Sequence, residues 1–355
     1  MKFRFKIKKY LIYLSFWTFF ACSSDSQELM NYQHGGLNRS YYLYLPDSIS
    51  IGAPLVFVLH GFTGTAQGIM TYSGMNDIAD DHQFVVCYPQ GRMDSNGNTF
   101  WNVGYDFHQD QTVDDLGFLV ELAHYLQSEY NLSRNNTFAT GMSNGGEMSY
   151  LLACNASDVF CSVAPVAGTM MNWFYDACEP LEPISIFEIH GTDDNITNWD
   201  GDSNNSGGWG AYMNIDSIID FWSSMNQCNL LITDTLEDIN TNDGSMVITH
   251  KYSDCIYENQ VWLYQIENGG HDWPGAYGNM DFNASDEVWS FFSENLNEEV
   301  VGDVNFDQSI NIIDLVQISD SMADDLNYYY LFDFNLDHEI NGSDIFALAT
   351  YILGF

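Results

Sequence analysis

Three stretches of this chain carry residue types that together can do chemistry, and each follows an apolar run. Gly141-Met142-Ser143-Asn144-Gly145 follows Phe138-Ala139, His190-Gly191-Thr192-Asp193-Asp194 follows Ile184–Ile189, and Gly269-Gly270-His271 follows Gln260–Ile266. A serine hydroxyl is a weak nucleophile at neutral pH and needs a neutral imidazole within hydrogen-bond reach. That imidazole needs a carboxylate to fix its tautomer and steady its charged form. Ser143, an acid from the pair Asp193-Asp194, and His271 supply all three for attack on an acyl carbon. Gly-x-Ser-x-Gly between an apolar run and the helix-like Glu147–Ala153 predicts a tight strand–turn–helix with the serine at its crest. Gly141 and Gly145 keep Cβ atoms out of that turn. The positive end of the helix then lies beside a developing oxyanion. The backbone N–H of Asn144 is the expected first oxyanion donor. Phe62, in the His60-Gly61-Phe62-Thr63-Gly64 that follows Pro54–Leu59, is the expected second, with Thr63 as its substitute.

The elements that must hold these residues read as alternating strands and helices. Ser40–Pro46 is a first strand, and the continuous apolar runs Pro54–Leu59, Phe84–Pro89, Ile184–Ile189 and Gln260–Ile266 suit strands covered on both faces. A helix opens at Val113–Val120 with Asp114 and Asp115 at its positive end, and Ser285–Asn295 makes a closing helix. This pattern predicts an α/β fold, a mostly parallel sheet with helices on both faces, whose function collects at the carboxyl ends of its strands. The order nucleophile, acid, base is that of hydrolase sheets. Trp101 and Trp273 suit an aromatic wall for substrate, or alternatively plain packing. The loop from Trp199 to Tyr212 is a candidate rim or lid.

The chain has 355 residues, 46% of them hydrophobic, enough for a large core and more than one domain. Nine basic residues face 49 acidic ones, and five of the nine lie in the first nine positions. Such an acidic body excludes nucleic acid and anionic membrane surfaces as partners and favours cations. Residues 1–22 read as an export signal: a basic start, the apolar run Tyr10–Phe20, then Ala21-Cys22 as a lipoprotein cleavage box with Cys22 lipidated. The alternatives are a cell-surface lipoprotein, touching the membrane only through that anchor, or free secretion. Polar residues 23–35 read as a tether. Export permits disulfides. Cys228 and Cys255 flank a small β-like segment and are the first choice for a bridge, Cys87 suits a buried thiol, and pairing among Cys154, Cys161 and Cys178 stays open.

After Asn297 the composition changes. Asp303-Val304-Asn305-Phe306-Asp307-Gln308-Ser309-Ile310-Asn311-Ile312-Ile313-Asp314 recurs thirty residues on as Asp333 to Asp344. Oxygen donors at positions 1, 3, 5, 9 and 12 match an EF-hand-type calcium loop. The predicted ligands are Asp303, Asn305, Asp307, Ser309 (through its carbonyl) and Asp314, then Asp333, Asn335, Asp337, Glu339 (carbonyl) and Asp344. Two loops in register predict two Ca²⁺ sites, with no cofactor for catalysis. Gln308 and His338 stand where such loops usually carry glycine.

Taken together, Gly36–Pro46, His60-Gly61, Trp101-Asn102, Val113–Phe118, Gly141–Gly146, His190–Asp194 and Gly270–Gly275 resemble the secreted polyhydroxybutyrate depolymerase/feruloyl esterase family over residues 36–297. The resemblance implies an α/β-hydrolase fold, Asp194 as the acid, and a cysteine pair at 228 and 255. It also implies hydrolysis of hydroxycinnamoyl esters of plant polysaccharide or, alternatively, of a polyester. Family members often carry Cys after His-Gly, where this chain has Phe62. Residues 298–355 resemble a dockerin type I module, small and all-α, which implies a cohesin or cell-surface partner. Its usual recognition pair is replaced by Ile312-Ile313 and Gly342-Ser343. A non-catalytic, calcium-dependent surface-binding protein is the distant alternative.

Overall fold

The computed structural model describes residues 28–304, 309–321, 330–335 and 339–354. The apolar runs form the strands Leu55–Leu59 (β3), Val85–Pro89 (β4), Thr137–Met142 (β7), Ser162–Val166 (β8), Ser185–Gly191 (β9) and Val261–Glu267 (β12). They lie side by side in the order β4-β3-β7-β8-β9-β12, every neighbouring pair parallel. Antiparallel pairs finish both margins: Leu29–His34 (β1) with Leu37–Tyr44 (β2), and Leu230–Thr235 (β10) with Met246–Ser253 (β11). The ten strands form one sheet, and Arg92–Met93 (β5) with Thr99–Phe100 (β6) makes a separate ribbon.

Helices cover both faces. Asp115–Glu129 (α3), Asn144–Asn155 (α4), the short Asn172–Tyr175 (α5) and Ile215–Met225 (α6) pack into one core. Ala66–Ser73 (α1), Met75–His82 (α2) and Ala284–Glu294 (α7) pack into the other. β3 shows why the runs are continuous rather than alternating: Leu55, Phe57 and Leu59 belong to the first core, Val56 and Val58 to the second.

The reading of a tether through residue 35 is corrected. Leu29–His34 is the edge strand β1, in register with β2 from Leu29↔Tyr42 to His34↔Leu37. Only its last residue is buried, so the run lacks the apolar pattern that would betray a strand. Residues 1–27, with the export signal and Cys22, lie outside the described residues. Bridges join Cys154 to Cys178 and Cys228 to Cys255, leaving Cys87 and Cys161 as thiols. The first settles the open pairing, and the second is the expected one. Among the described residues no helix is long and apolar enough to cross a membrane.

Ile312–Ser321 (α8) and Gly342–Leu353 (α9) share a small core of Ile318, Leu331 and Leu348. The segment before them is bonded to the α/β body. Asn297 N–H donates to Asn136 Oδ1 (2.7 Å), and the Glu299 carboxylate accepts from Ser133 Oγ (2.6 Å) and Asn135 N–H (3.0 Å).

Candidate active site

Ser143 sits between β7 and α4 with φ 57° and ψ −120°, a left-handed backbone that costs energy for any residue with a Cβ. The turn closes because its neighbours are glycine. A Cβ on Gly145 would lie 2.3 Å from Leu59 O, and one on Gly141 would lie 2.7 Å from the Gly145 carbonyl. Ser143 N–H donates to Val166 O (2.8 Å), locking the crest to β8.

Asp194 and His271 follow β9 and β12, at the same carboxyl edge of the sheet. Asp194 Oδ2 lies 2.7 Å from His271 Nδ1, and Oδ1 accepts the N–H groups of Ile196 (2.8 Å) and Thr197 (2.9 Å). A carboxylate only accepts, so Nδ1 carries the proton and Nε2 is left as the base. Asp193 is exposed, and it is Asp194, the residue the resemblance points to, that holds His271. The loops meet closely through glycine: a Cβ on Gly191 would lie 2.3 Å from Gly269 O, and one on Gly269 would lie 2.5 Å from Ile266 Cγ2. The acid–base hydrogen bond is made, whereas among the described residues none runs from Ser143 Oγ to the imidazole.

Of the two amides offered by the loop after β3, Thr63 N–H is spent on Thr99 O (2.8 Å), which leaves Phe62. The Phe62 N–H belongs to the same trans peptide as the Gly61 carbonyl, so fixing one fixes the other. His60 does this. Its Nδ1 donates to Gly61 O (2.8 Å) and its Nε2 accepts from Gly91 N–H (2.9 Å). Burial holds this imidazole neutral, with its pKa pushed down to about 4.

Trp101 and Trp273 are fully buried, which corrects their reading as a substrate wall. Both indole N–H groups are bonded inside the protein, Trp273 Nε1 to Ser285 Oγ (3.2 Å) and Trp101 Nε1 to His60 O (2.9 Å). Trp101 also donates its N–H to Asn144 Oδ1 (2.7 Å) and accepts from Asn144 Nδ2 (3.1 Å). It therefore ties the loop after β3 to the start of α4. The next residue, Asn102, donates its N–H to Asp115 Oδ2 (2.8 Å), and Asp115 is a buried partner of Arg39. Asp114 alone caps α3, accepting from Gly117 N–H (2.8 Å), so Asp115 does more than the capping expected of it.

An aromatic group that the sequence did not single out stands around Phe62. Its ring lies 5.4 Å from Trp209 and 5.8 Å from Phe107, and Tyr105 is 5.1 Å from Trp209. Phe107 is 45% exposed, so the cluster opens to solvent. The 199–212 loop is a pinned rim rather than a free lid. Trp209 O accepts Asp106 N–H (3.0 Å), and Asp202 accepts Ser206 N–H (2.8 Å) and Gly207 N–H (2.7 Å). Two buried acids also escaped the sequence reading. Glu147, in the first turn of α4, accepts from Tyr105 and has its pKa pushed up to about 7 by burial. Glu188 lies in β9 between Phe187 and Ile189, and a charge inside an apolar strand was the signal available.

The predicted calcium ligands fall partly outside the described residues, namely Asn305, Asp307 and Asp337. Among the described residues no group of three acidic, His or Cys side chains gathers as a metal site. Asp303, Asp314, Asp333 and Asp344 are all buried, one acid at each end of each loop. Asp314 Oδ2 accepts Asn311 N–H (2.8 Å), and thirty residues on Asp344 Oδ2 accepts Asn341 N–H (2.9 Å). The same carboxylate-to-backbone frame thus recurs at both loops, with Asp314 Oδ1 also accepting Val304 N–H (3.0 Å) and Asp344 Oδ1 accepting Asn335 N–H (3.2 Å).

A parallel sheet flanked by helices, with a strained serine at its carboxyl edge, can be set beside known structures. The acetyl xylan esterase from Aspergillus awamori superposes with a TM-score of 0.53 at 14% identity, covering 75% of this chain and 99% of that one. The chain has the α/β-hydrolase fold. Within that fold, residues 39–186 match the family model described as Esterase PHB depolymerase. A bifunctional acetylxylan esterase/xylanase of Neocallimastix patriciarum is 25% identical over 164 residues, 46% of this chain and 22% of that protein. Feruloyl esterase B of Thermothelomyces thermophilus is 30% identical over 146 residues, 41% of this chain and 50% of that one. The chain spans half or less of the length of the curated relatives it matches, between 22% and 50%. These relatives and this neighbour are esterases.

Proposed function

We propose that the protein is an exported serine esterase that cleaves hydroxycinnamoyl esters of plant polysaccharide through an acyl-enzyme. The observation that carries the ester hydrolase is the Asp194–His271 hydrogen bond beside a serine held at a left-handed turn. Ser143 Oγ attacks the acyl carbon while His271 Nε2 takes its proton, and Asp194 steadies the imidazolium. The oxyanion is met by the N–H groups of Phe62 and Asn144. The tetrahedral intermediate collapses, His271 gives the proton to the leaving alcohol, and water repeats the cycle on the acyl-serine. The half-open cluster of Phe62, Phe107 and Trp209 beside one oxyanion donor supports an aromatic acyl group. Names of relatives, feruloyl esterase among them, agree with this reading.

Replacing Ser143 by Ala is expected to lower p-nitrophenyl acetate turnover by at least about a thousandfold; unchanged turnover would refute the esterase. The matching family model favours a second reading, a polyester depolymerase. Parallel release assays with methyl ferulate and a polyhydroxybutyrate suspension separate the two. Export rests on the basic-then-apolar start, on Cys22 after Ala21, and on two disulfides.

The C-terminal module takes two Ca²⁺ ions in this reading, supported by the four buried aspartates. Its partner is a cohesin or a cell-surface component. Calcium is expected to raise the melting temperature of the full chain and chelator to reverse it; no shift would remove calcium from the reading.

A further inference from the structure

Behind the acid of the site lies a second, deeper acid–imidazole pair that the reaction does not itself use. His190 and Glu188 both point off β9, and both side chains are fully buried. His190 Nδ1 is 2.8 Å from Glu188 Oε1, and its Nε2 is 2.8 Å from Thr197 O. The same Nε2 lies 3.6 Å from Asp194 Oδ2, the oxygen that holds His271. Glu188 Oε2 accepts from Tyr150 O–H (2.8 Å).

Donor accounting decides the protonation. Thr197 O accepts only, so Nε2 bears a proton. Glu188 receives the Tyr150 hydroxyl, and burial pushes its carboxyl up to about 6; above that pH it is a carboxylate, so Nδ1 donates to it and bears a second proton. The ring is then an imidazolium between two carboxylates. The groups facing it are Glu188 on its own strand, Asp194 on the following loop, Tyr150 of α4 through Glu188, and His271 after β12 through Asp194. The Trp199 ring closes the remaining side at 6.0 Å. The pair Glu188/Asp194 accordingly raises the His190 pKa against its burial.

We propose that His190 is a positioning residue for the catalytic acid, holding the 194–197 loop through Thr197 and carrying a buried positive charge against Asp194. The charge lets a second carboxylate sit in the core behind the site while keeping the field at His271 that of a single anion. This deepens the esterase reading, since it rests on Asp194 and His271 acting as acid and base.

The test compares kcat/KM against pH for the full chain, His190→Gln and Glu188→Gln on p-nitrophenyl acetate. His190→Gln keeps a donor for Thr197 but removes the charge, leaving two uncompensated carboxylates behind the base. His271 then stays protonated to higher pH, and the acid limb is expected to move up by about half a unit or more with KM little changed. Glu188→Gln removes the anion and with it the need for the imidazolium; net charge is conserved and the limb is expected to stay in place. Superimposed limbs for His190→Gln and wild type would overturn the proposal. Should His190→Gln fail to fold, ¹⁵N-histidine NMR of the wild-type chain reads the same point at pH 8. Two protonated ring nitrogens on His190 are expected, and one bare nitrogen would overturn the assignment. This second readout needs no turnover, so a failed esterase reading, seen as Ser143→Ala matching wild type, is told apart from a failed charge.

Discussion

Trp101 joins two loops that must agree in position to within a fraction of an ångström. Its main chain grips Asn144 and its indole N–H grips His60 O. Trp101→Phe keeps most of the packing and deletes only the indole bond. Losing a whole oxyanion donor costs about a hundredfold or more in kcat, so loosening one is expected to cost about tenfold, with KM near wild type. A raised KM with intact kcat would return Trp101 to the substrate wall of the sequence reading. Glu147 gives a second residue-scale test. Its folded pKa of about 7 lies above the ordinary 4.5, so the folded state holds a proton that the unfolded state releases in between. The stability from the neutral acid is present below pH 4.5 and lost as pH rises toward 7, on the order of 3 kcal/mol. Glu147→Gln is expected to melt higher than wild type at pH 8 and to converge with it near pH 4.5. Thermal denaturation at the two pH values checks this.

At the scale of elements, the hairpin β10–β11 flanks β12, the strand that delivers His271. Cys228–Cys255 closes that hairpin at its base over a separation of 27 residues. Replacing both cysteines by serine is expected to cost about 3 kcal/mol in urea unfolding, with kcat of the folded enzyme kept. The sequence made the central elements legible because strands buried on both faces write continuous apolar runs, as β3, β4 and β9 do. Ser143, Asp194 and His271 were legible because each sits at the end of such a run, beside glycines that close approach requires. The margins were legible only in part. β2 and the β-like segment between Cys228 and Cys255 were read, but β1, whose exposed positions alternate with half-buried Met30 and Tyr32, was not, because it is short and its six residues are mostly polar. The fate of Trp101 and Trp273 was illegible for another reason: a tryptophan in a loop reads alike whether its N–H finds water or a carbonyl. Phe107 and Trp209 come together only through the pinning of two loops that no periodicity announces.

At the scale of the whole molecule, the charge dominates. A formal net charge of −40 repels itself, and the opposing cations are few. Raising sodium chloride from about 0.05 to 1 M shortens the screening length severalfold and is expected to raise the melting temperature. A fall would mean that ion pairs such as Arg39–Asp115 outweigh the repulsion. The cations beyond the first nine residues are Arg39, Arg92, Arg134 and Lys251. Arg39 is buried against Asp115, and the Lys251 ammonium rests 3.4 Å over the Trp262 ring. Arg92, in the short ribbon at β5, is exposed, whereas Arg134 and Lys251 are half-buried. Past the basic first nine residues, trypsin, which cuts only after lysine and arginine, meets a single open door among the described residues, and the first nick in the folded body is expected after Arg92.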